Sequence, residues 1–528
     1  MRLPSFMRKS IQPSGTRTSG ALESLWTDGA PDIRFTQLDG DIKADVVIVG
    51  AGITGITTAY LLAGTGKDIV VIEDGFLGSG ETGRTTAHLT AVLDKRYSEI
   101  SSMHGEHDAF LAYESHSKAI DLIESISNSE KIDCDFERLD AYLFLHPSDH
   151  RDTLENEMDA ANDIGIFAEL VDKACLPFNT GISIRFPQQA QFHPLKYLRG
   201  LANAAKKNGV RIFTQTKAEK VLEDGVRTES GHKIAAKHIV IATHSPVKGA
   251  QIFFKEVPFR SYVVASKIPK NSIEPGLYWD TGDQKSENHA YHYIRVQKEQ
   301  GHDVLIIGGE DHVTGRGNPE ECFENLEKWV KEHFHIGNID YRWSGQILEP
   351  SDKLAFIGRS PWHDFNLYIA TGYSGNGMTY GTIAAMILSD LISGRENKWA
   401  HIYDPSRLAI KAAPQMAHDS LVPLAQMAAG WIKGGNIEST DELEPGQGGI
   451  MDRMAIYKDE KGKVHAFSAS CPHMGCMVGW NPAERSWDCP CHGSRFTSMG
   501  EMINGPAIQG LKEVEIREDE KIEKRTRP

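Results

Sequence analysis

Two short segments near the C-terminus place four cysteines and two histidines within 24 residues. They are CPHMGC, residues 471–476, and CPCHGS, residues 489–494, in a chain of 528 residues. Cysteine thiolates and histidine imidazoles at such short spacing are metal ligands. Zinc takes four ligands, whereas the six candidates are Cys471, His473, Cys476, Cys489, Cys491 and His492. A single zinc ion would therefore leave two of them unused.

A second segment has the pattern of a dinucleotide-binding turn. Gly50, Gly52 and Gly55 form the motif G-x-G-x-x-G after an apolar strand and at the start of a predicted helix. Gly50 permits the tight turn, Gly52 lets the backbone approach a pyrophosphate, and Gly55 lets helix and strand pack closely. The next strand ends in Glu73, which is placed to accept hydrogen bonds from a ribose. The segment predicts an FAD or NAD site.

A later glycine-rich turn, residues 375–381, also follows a strand and opens a helix. No strand ending in an acidic residue comes after it, so it does not complete a second fingerprint. We assign it to the same cofactor, because a helix N-terminus stabilises negative charge on a reduced ring.

The elements around these motifs predict a chain that leaves its first domain and returns to it. Strand-and-helix units alternate with a strand-rich region, and short strands with glycine turns dominate the C-terminal part. This order predicts an α/β Rossmann-like domain, an inserted mixed β-sheet domain and an appended all-β domain.

Several segments resemble FAD-dependent oxidoreductases of the D-amino-acid oxidase, glycine oxidase and sarcosine oxidase type. They are VVIVGAGITG, GSGETGRTTAHL (78–89), VIATH (240–244), LAFIGRSP (354–361) and YIATGYSGNGMTYG (368–381). The resemblance covers about 44–400 and implies FAD, held without a covalent bond. It implies FAD contacts from Arg84 and Thr85 near the phosphates and ring, from the Val221 backbone at adenine, and from Gly375, Asn376, Gly377, Met378 and Thr379 beside the isoalloxazine.

The two cysteine-rich segments resemble the Rieske pattern C-x-H-x-G-C … C-P-C-H-G-S. A Rieske [2Fe–2S] cluster has two cysteines on one iron and two histidines on the other. The resemblance implies that Cys471 and Cys489 bind one iron and that His473 and His492 bind the other.

The resemblance also implies a disulfide between Cys476 and Cys491, which would tie the two cluster loops together. Electron-transfer Rieske proteins have this pair, whereas Rieske oxygenases lack it. Ser494 is placed to donate a hydrogen bond towards a cluster sulfur. Phe496 stands where relatives often have tyrosine, so we expect a reduction potential below the top of the family's range.

These assignments predict the following boundaries. The N-terminal arm is 1–43, the oxidoreductase is 44–400, the linker is 401–440 and the Rieske domain is 441–528. Within the oxidoreductase, the FAD-binding segments are about 44–94, 195–250 and 346–400, and the substrate domain is about 95–194 and 251–345.

The combination predicts an enzyme that oxidises the C–N bond of an amine or amino acid. Because a flavin of this family takes up two electrons and the cluster holds one, we expect serial transfer through the cluster to an external acceptor. Two alternatives are a flavin monooxygenase fed by the cluster and a non-catalytic redox sensor.

For substrate binding the sequence offers candidate residues and no complete motif. Gln346 lies where some relatives have the arginine that binds a substrate carboxylate. Arg295 is a substitute candidate, with Tyr291 and Tyr293 on the same face of a strand; the simpler interpretation is a solvated arginine on a half-buried strand. His292 faces the other way, and we expect it to be structural.

Three further features limit the interpretation. His88 fits a packing role better than a covalent flavin link, and the remaining cysteines, Cys134, Cys175 and Cys322, are expected to be ordinary buried thiols. The uncharged stretch 46–66 suits strand, turn and helix better than a membrane span.

The formal net charge of -15 argues against nucleic acid as the main partner. The N-terminal residues lack a signal-peptide pattern, so the cytoplasm is the expected location.

Overall fold

The computed structural model describes residues 19–28, 33–245, 252–286, 291–408, 411 and 435–515. The first part of the predicted arm, most of the predicted linker 401–440 and the last residues of the C-terminal domain lie outside the described residues.

The first sheet has eight strands and is mainly parallel around its centre. The central strand Ile42–Val49 ends in the run Val46–Val49, which is buried throughout. Such continuous apolar runs are typical of parallel strands covered on both faces. In sheet order the strands are Phe356–Arg359, Leu367–Thr371, Lys233–Ile241, Ile42–Val49, Ile69–Ile72 and Arg211–Phe213, with Gly225–Thr228 and Ala218–Leu222 attached beside Lys233–Ile241.

Two glycine-initiated helices pack against each other beside this sheet. Ile53–Ala63 follows the first glycine turn, and Gly377–Ile392 follows the second. Gly381 allows the close contact, since a Cβ there would lie 2.7 Å from Cγ2 of Ile53. The packing brings both helix N-termini to the same region.

The second sheet has nine strands, and most of its neighbours are antiparallel. In sheet order the strands are Tyr341–Pro350, Glu256–Ile268, Asp303–Val313, Tyr293–Lys298, Leu277–Asp280, Glu137–Phe144, Ser183–Gln191 and His88–Leu89, with Glu169–Val171 paired to Ser183–Gln191.

The other helices lie around the two sheets. The α-helices are Tyr97–His104, Glu106–Ser129, Arg151–Asp163, Pro194–Lys207, Pro319–His333 and Ala400–Tyr403, and the 3-10 helices are Glu81–Arg84, Ile252–Lys255 and Thr440–Glu442. Within the described ranges, no helix has the length and apolar character needed to cross a membrane. The uncharged stretch 46–66 forms the end of a strand, a turn and a helix.

The C-terminal domain consists of two small antiparallel sheets. Trp487 and Phe496, both fully buried, lie in its core. The strands are Gly448–Met451, Met454–Lys458 and Val464–Ser468 in one sheet, and Gly479–Asn481, Ser486–Asp488, Arg495–Thr497 and Met502–Asn504 in the other.

A buried glutamate of the C-terminal domain joins it to the rest of the chain. Glu484, 1% exposed, forms ion pairs with Arg84 at 2.8 Å and Arg260 at 3.2 Å. It also accepts a hydrogen bond from the backbone N–H of Leu22 at 3.2 Å. Burial opposes its ionisation, but the surrounding arginines hold the pKa of Glu484 below its ordinary value. The domains are therefore docked through a charged, buried contact.

The described part of the N-terminal arm lies in this contact. Residues 19–28 contain turns and no regular element, as expected for an irregular arm. They are nevertheless packed tightly, since Trp26 is 1% exposed and donates its indole N–H to the carbonyl of Thr85. The arm thus supports the loop that follows the 3-10 helix Glu81–Arg84.

Candidate active site and metal centre

The first glycine turn has the geometry that its motif predicts. Gly50 has a φ of 108°, and a Cβ there would lie 2.5 Å from the carbonyl oxygen of Ala242. A Cβ on Gly55 would lie 1.9 Å from the carbonyl oxygen of Gly50, so this glycine serves the close packing of helix and strand. Neither position accepts a side chain without a backbone shift.

Glu73 stands at the end of the second strand and faces the turn. Its carboxylate accepts hydrogen bonds from the N–H of Ala51 at 2.7 Å and of Gly75 at 3.1 Å. Burial raises the pKa of Glu73 well above its ordinary value. The carboxyl group is thus fixed beside the place where the motif positions a ribose.

A single cavity contains most of the residues assigned to the dinucleotide. It is bounded by both glycine turns, by the 3-10 helix and by the second sheet. The predicted residues that line it are Gly50, Gly52, Glu73, Arg84, Thr85, Gly375, Asn376, Gly377, Met378, Tyr291 and Tyr293.

Two predicted cofactor contacts are placed elsewhere. Val221 packs in the core of the first sheet and does not line the cavity, whereas Lys217 and Ala218, earlier in the same segment, do. The backbone contact from Val221 to adenine stays a prediction, and Lys217 and Ala218 are further candidates in the same segment. Thr379 is also turned away, because its hydroxyl hydrogen-bonds Nδ1 of His116 at 2.8 Å.

Arg295 does not line the cavity and is not solvated. It is fully buried, and its guanidinium donates to the carbonyls of Thr86, Ala87 and Phe192 at 2.9–3.2 Å. The expectation of a half-exposed arginine is wrong. Arg295 anchors the strand that follows Thr85 and is not available for a substrate carboxylate.

His88 and His292 behave as structural groups. His88 lines the cavity, but Nε2 donates to the carbonyl of Ile294, so Nδ1 accepts from the hydroxyl of Thr86. His292 is buried, pairs with Asp280 at 2.9 Å and stacks on Trp329.

The three isolated cysteines differ in exposure. Cys134 is buried, Cys322 is intermediate and Cys175 is exposed. The expectation of a buried thiol is wrong for Cys175, which lies in a surface loop.

The two cysteine-rich loops come together in the C-terminal domain. Cys471 and Cys489 are buried free thiols, each 2% exposed. The hydrogen bond between the two thiols lowers the pKa of Cys471 to about 7 and raises the pKa of Cys489 well above its ordinary value. Backbone N–H groups of each loop also donate to its sulfur, which opposes the rise at Cys489. The rings of His473 and His492 lie 4.9 Å apart.

His492 gives a direct indication of a missing ligand partner. Both of its ring nitrogens are buried and have no hydrogen-bond partner in the part of the chain that the structure describes. Burial lowers the pKa of His492 to about 4, so the ring is neutral, which is the form that binds metal. A buried orphan imidazole beside two free thiols fits a [2Fe–2S] cluster.

Cys476 and Cys491 form a disulfide between the two loops. Their sulfurs lie within 4.8 Å of the Cys489 sulfur, but the disulfide removes them as thiolate ligands. Ser494 is fully buried and hydrogen-bonds the Cys471 sulfur.

The C-terminal domain also closes the dinucleotide cavity. Its residues Met502, Ile503, Asn504 and Gly505 line that cavity. Gln346 lines it from the second sheet and donates its side-chain N–H to the carbonyl of Gly493 at 2.8 Å. Gly493 directly follows His492, so one hydrogen bond connects the cavity wall to a ligand loop.

Asp94 and Asp311 are cavity residues that the sequence motifs do not reveal. Asp94 lies in the loop before the helix Tyr97–His104, and Asp311 lies near the end of the strand Asp303–Val313. Asp311 stands between Glu310 and His312 at the polar end of this strand, and that pattern does not single out a buried site.

The fold and the two sites define an oxidoreductase with a dinucleotide cofactor and an iron–sulfur cluster. The chain belongs to the family of FAD dependent oxidoreductases called DAO, whose model matches residues 45–391. Residues 431–515 match the Rieske [2Fe-2S] domain. The cofactors are therefore FAD and a Rieske cluster, and zinc is excluded as the interpretation of the cysteine-rich loops.

Relatives support this assignment over the whole chain. The putative Rieske 2Fe-2S iron-sulfur protein YhfW of Bacillus subtilis (strain 168) is 35% identical over 94% of this chain and 98% of its own length. The gamma-glutamylputrescine oxidoreductase of Escherichia coli (strain K12) is 26% identical over 68% of this chain and 86% of its own length. Glycine oxidase from Geobacillus kaustophilus has the same fold, with a TM-score of 0.57 and 20% identity over 70% of this chain and 99% of its own.

Proposed function

We propose that this protein is a dehydrogenase that oxidises a C–N bond and passes the electrons through its Rieske cluster to an external acceptor. When bound, FAD accepts a hydride from the carbon next to nitrogen, and the cluster carries one electron at a time. The products are an imine, which water hydrolyses, and a reduced acceptor.

The contact between the cavity and the cluster loops carries this proposal. Met502 to Gly505 of the Rieske domain form part of the cavity wall. Gln346 donates a hydrogen bond to the carbonyl of Gly493, the residue after His492. An oxidase that delivers electrons directly to oxygen has no need of such a wall. The docking therefore favours transfer within one chain.

The chain's own residues orient the substrate and exclude water. Trp279, Tyr291 and Tyr293 line the cavity together with Val263. Aromatic and aliphatic walls keep the reacting carbon dry, so the hydride is not lost to solvent. One relative in the family is named for an amine, gamma-glutamylputrescine, which supports C–N chemistry here.

Anaerobic mixing of the holoenzyme with amines and amino acids tests the proposal. We expect flavin bleaching followed by the electron paramagnetic resonance signal of the reduced cluster, with a rate constant independent of protein concentration. The Cys489→Ser variant, which lacks a cluster ligand, should still bleach and give no cluster signal.

Two results would contradict the proposal. Cluster reduction that speeds up with protein concentration would mean transfer between molecules. Bleaching by none of the compounds, with a cluster that dithionite reduces, would instead favour the monooxygenase or the redox sensor.

A further inference from the structure

One wall of the cofactor cavity is formed by three neighbouring strands of the second sheet. Ser261, Asp311 and Tyr293 come from Glu256–Ile268, Asp303–Val313 and Tyr293–Lys298, and all three line the cavity.

Hydrogen bonds give this wall a defined polarity. Ser261 Oγ donates its hydrogen to Oδ1 of Asp311 at 2.5 Å. The hydroxyl of Tyr293 lies 2.6 Å from Ser261 Oγ and therefore donates its own hydrogen to Ser261 Oγ. Tyr291 hydrogen-bonds Asp94, which also accepts from the N–H of Gly375 at 2.7 Å. The Ser261 and Tyr291 hydroxyl hydrogens point towards carboxylates and the Tyr293 hydrogen points towards Ser261, so the wall presents lone pairs to the cavity.

Asp311 retains acceptor capacity for a ligand. The residue is 8% exposed, and the hydrogen bond from Ser261 engages Oδ1 and not Oδ2. Burial raises the pKa of Asp311 to about 7 and that of Asp94 to about 6. A bound cation would lower both pKa values and so stabilise the two carboxylates.

The positive side chains near this wall are already paired. Arg84 lines the cavity but is bound to Glu484, and Lys217 is bound to Glu229 at 3.2 Å. Lys95, next to Asp94, pairs with Glu349 at 2.9 Å and does not line the cavity. Among the described lining residues, no unpaired arginine or lysine is present to bind a substrate carboxylate.

We propose that the substrate is a cationic amine without an α-carboxylate, that Asp311 and Asp94 bind its ammonium group, and that one of these carboxylates takes up the ammonium proton before the neighbouring carbon gives up its hydride. The rings of Tyr291 and Tyr293, 5.6 Å apart, add a favourable face for a cation. This inference rests on the proposed function, because it identifies the substrate of the same site. Amino acids are disfavoured, since their carboxylate would meet the two aspartates.

Binding of probes that the enzyme does not oxidise tests the inference separately from catalysis. We would titrate the oxidised holoenzyme with propylguanidine and with butanoate and follow the flavin spectrum and the heat of binding. Propylguanidine should bind, and butanoate should bind at least roughly tenfold more weakly.

Variants locate the binding group. Asp311→Asn should weaken propylguanidine binding by roughly tenfold or more, because a charge-assisted bond is lost. Asp311→Glu should retain part of the affinity. Asp303→Asn, at the other end of the same strand, is the matched control and should bind like the unaltered protein. The flavin and cluster spectra show whether each variant is folded.

A matched substrate pair completes the test. 1-Aminopropane and 2-aminobutyrate differ only in the carboxylate, and we expect the amine alone to bleach the flavin. Butanoate binding tighter than propylguanidine, or an Asp311→Asn variant with unchanged affinity, would overturn the inference. Propylguanidine binding through Asp311 without bleaching by any amine would overturn the proposed function and leave the cation site supported.

Discussion

At the scale of single residues, His292 shows how a buried charge is held by its partners. It lies between Asp280, at 2.9 Å, and Glu310, at 3.6 Å, and stacks on Trp329. Burial alone would lower its pKa, but these two carboxylates raise the pKa of His292 to about 9.

The pH dependence of stability follows from this shift. The folded protein keeps the proton up to about pH 9, whereas an unfolded histidine loses it near pH 6.5. The stabilisation is therefore complete below about pH 6.5 and is lost as the pH rises to about 9, with a magnitude of up to about 3 kcal/mol. Thermal unfolding midpoints should fall across this range, and His292→Gln should flatten the fall.

The exposed residue His335 provides the control for this measurement. His335→Gln should keep the pH dependence of the unaltered protein. If the unfolding midpoint of His292→Gln fell with pH as much as that of the unaltered protein, His292 would not be the source of the pH dependence.

At the scale of elements, the docking of the Rieske domain depends on one carboxylate. Glu484 sits in the turn between Gly479–Asn481 and Ser486–Asp488 and pairs with arginines from two other elements. Removing one member of a buried ion pair leaves an uncompensated charge and costs about 3–5 kcal/mol.

We therefore expect Glu484→Gln to loosen the contact between the domains. Calorimetry should resolve separate unfolding transitions, and limited proteolysis should release the Rieske domain faster. Glu460→Gln is the matched control, because Glu460 pairs with Arg485 at the surface and contributes about 0–1 kcal/mol. A single unchanged transition in Glu484→Gln would show that other contacts suffice.

At the scale of the whole molecule, Gln346 connects the cavity to the cluster domain. Its amide donates to the carbonyl of Gly493, whose φ of 74° and close packing on Pro258 leave no room for a side chain. At this point a side chain of the oxidoreductase therefore contacts the backbone of the Rieske domain.

Gln346→Leu keeps the volume and removes this bond. We expect a cost of about 1 kcal/mol in stability and a several-fold slower appearance of the reduced cluster after flash photoreduction of the flavin. Gln191→Leu is the control, since the buried amide of Gln191 donates to Val296 in the second sheet. Equal transfer rates in both variants would exclude Gln346 from the coupling.

The glycine turn, Glu73 and the cysteine-rich loops were predictable because their function depends on residues close together in the chain. Gly55 acts within one turn and its helix, and the thiols of Cys471 and Cys489 accept from backbone N–H groups of their own loops. Local spacing therefore determined the cofactors and the family.

The substrate end of the cavity was decided by the tertiary structure. From the alternation along the strand, Arg295 was predicted to share a face with Tyr291 and Tyr293. In the structure its guanidinium instead donates to buried carbonyls from two other segments. Asp94 and Asp311, which are far apart in the chain, line one cavity. The Rieske residues reach the same cavity through contacts across the domain boundary, among them the pairing of Glu484 with Arg84 and Arg260. Such long-range pairings depend on how the two sheets and the C-terminal domain pack, and no local pattern encodes them.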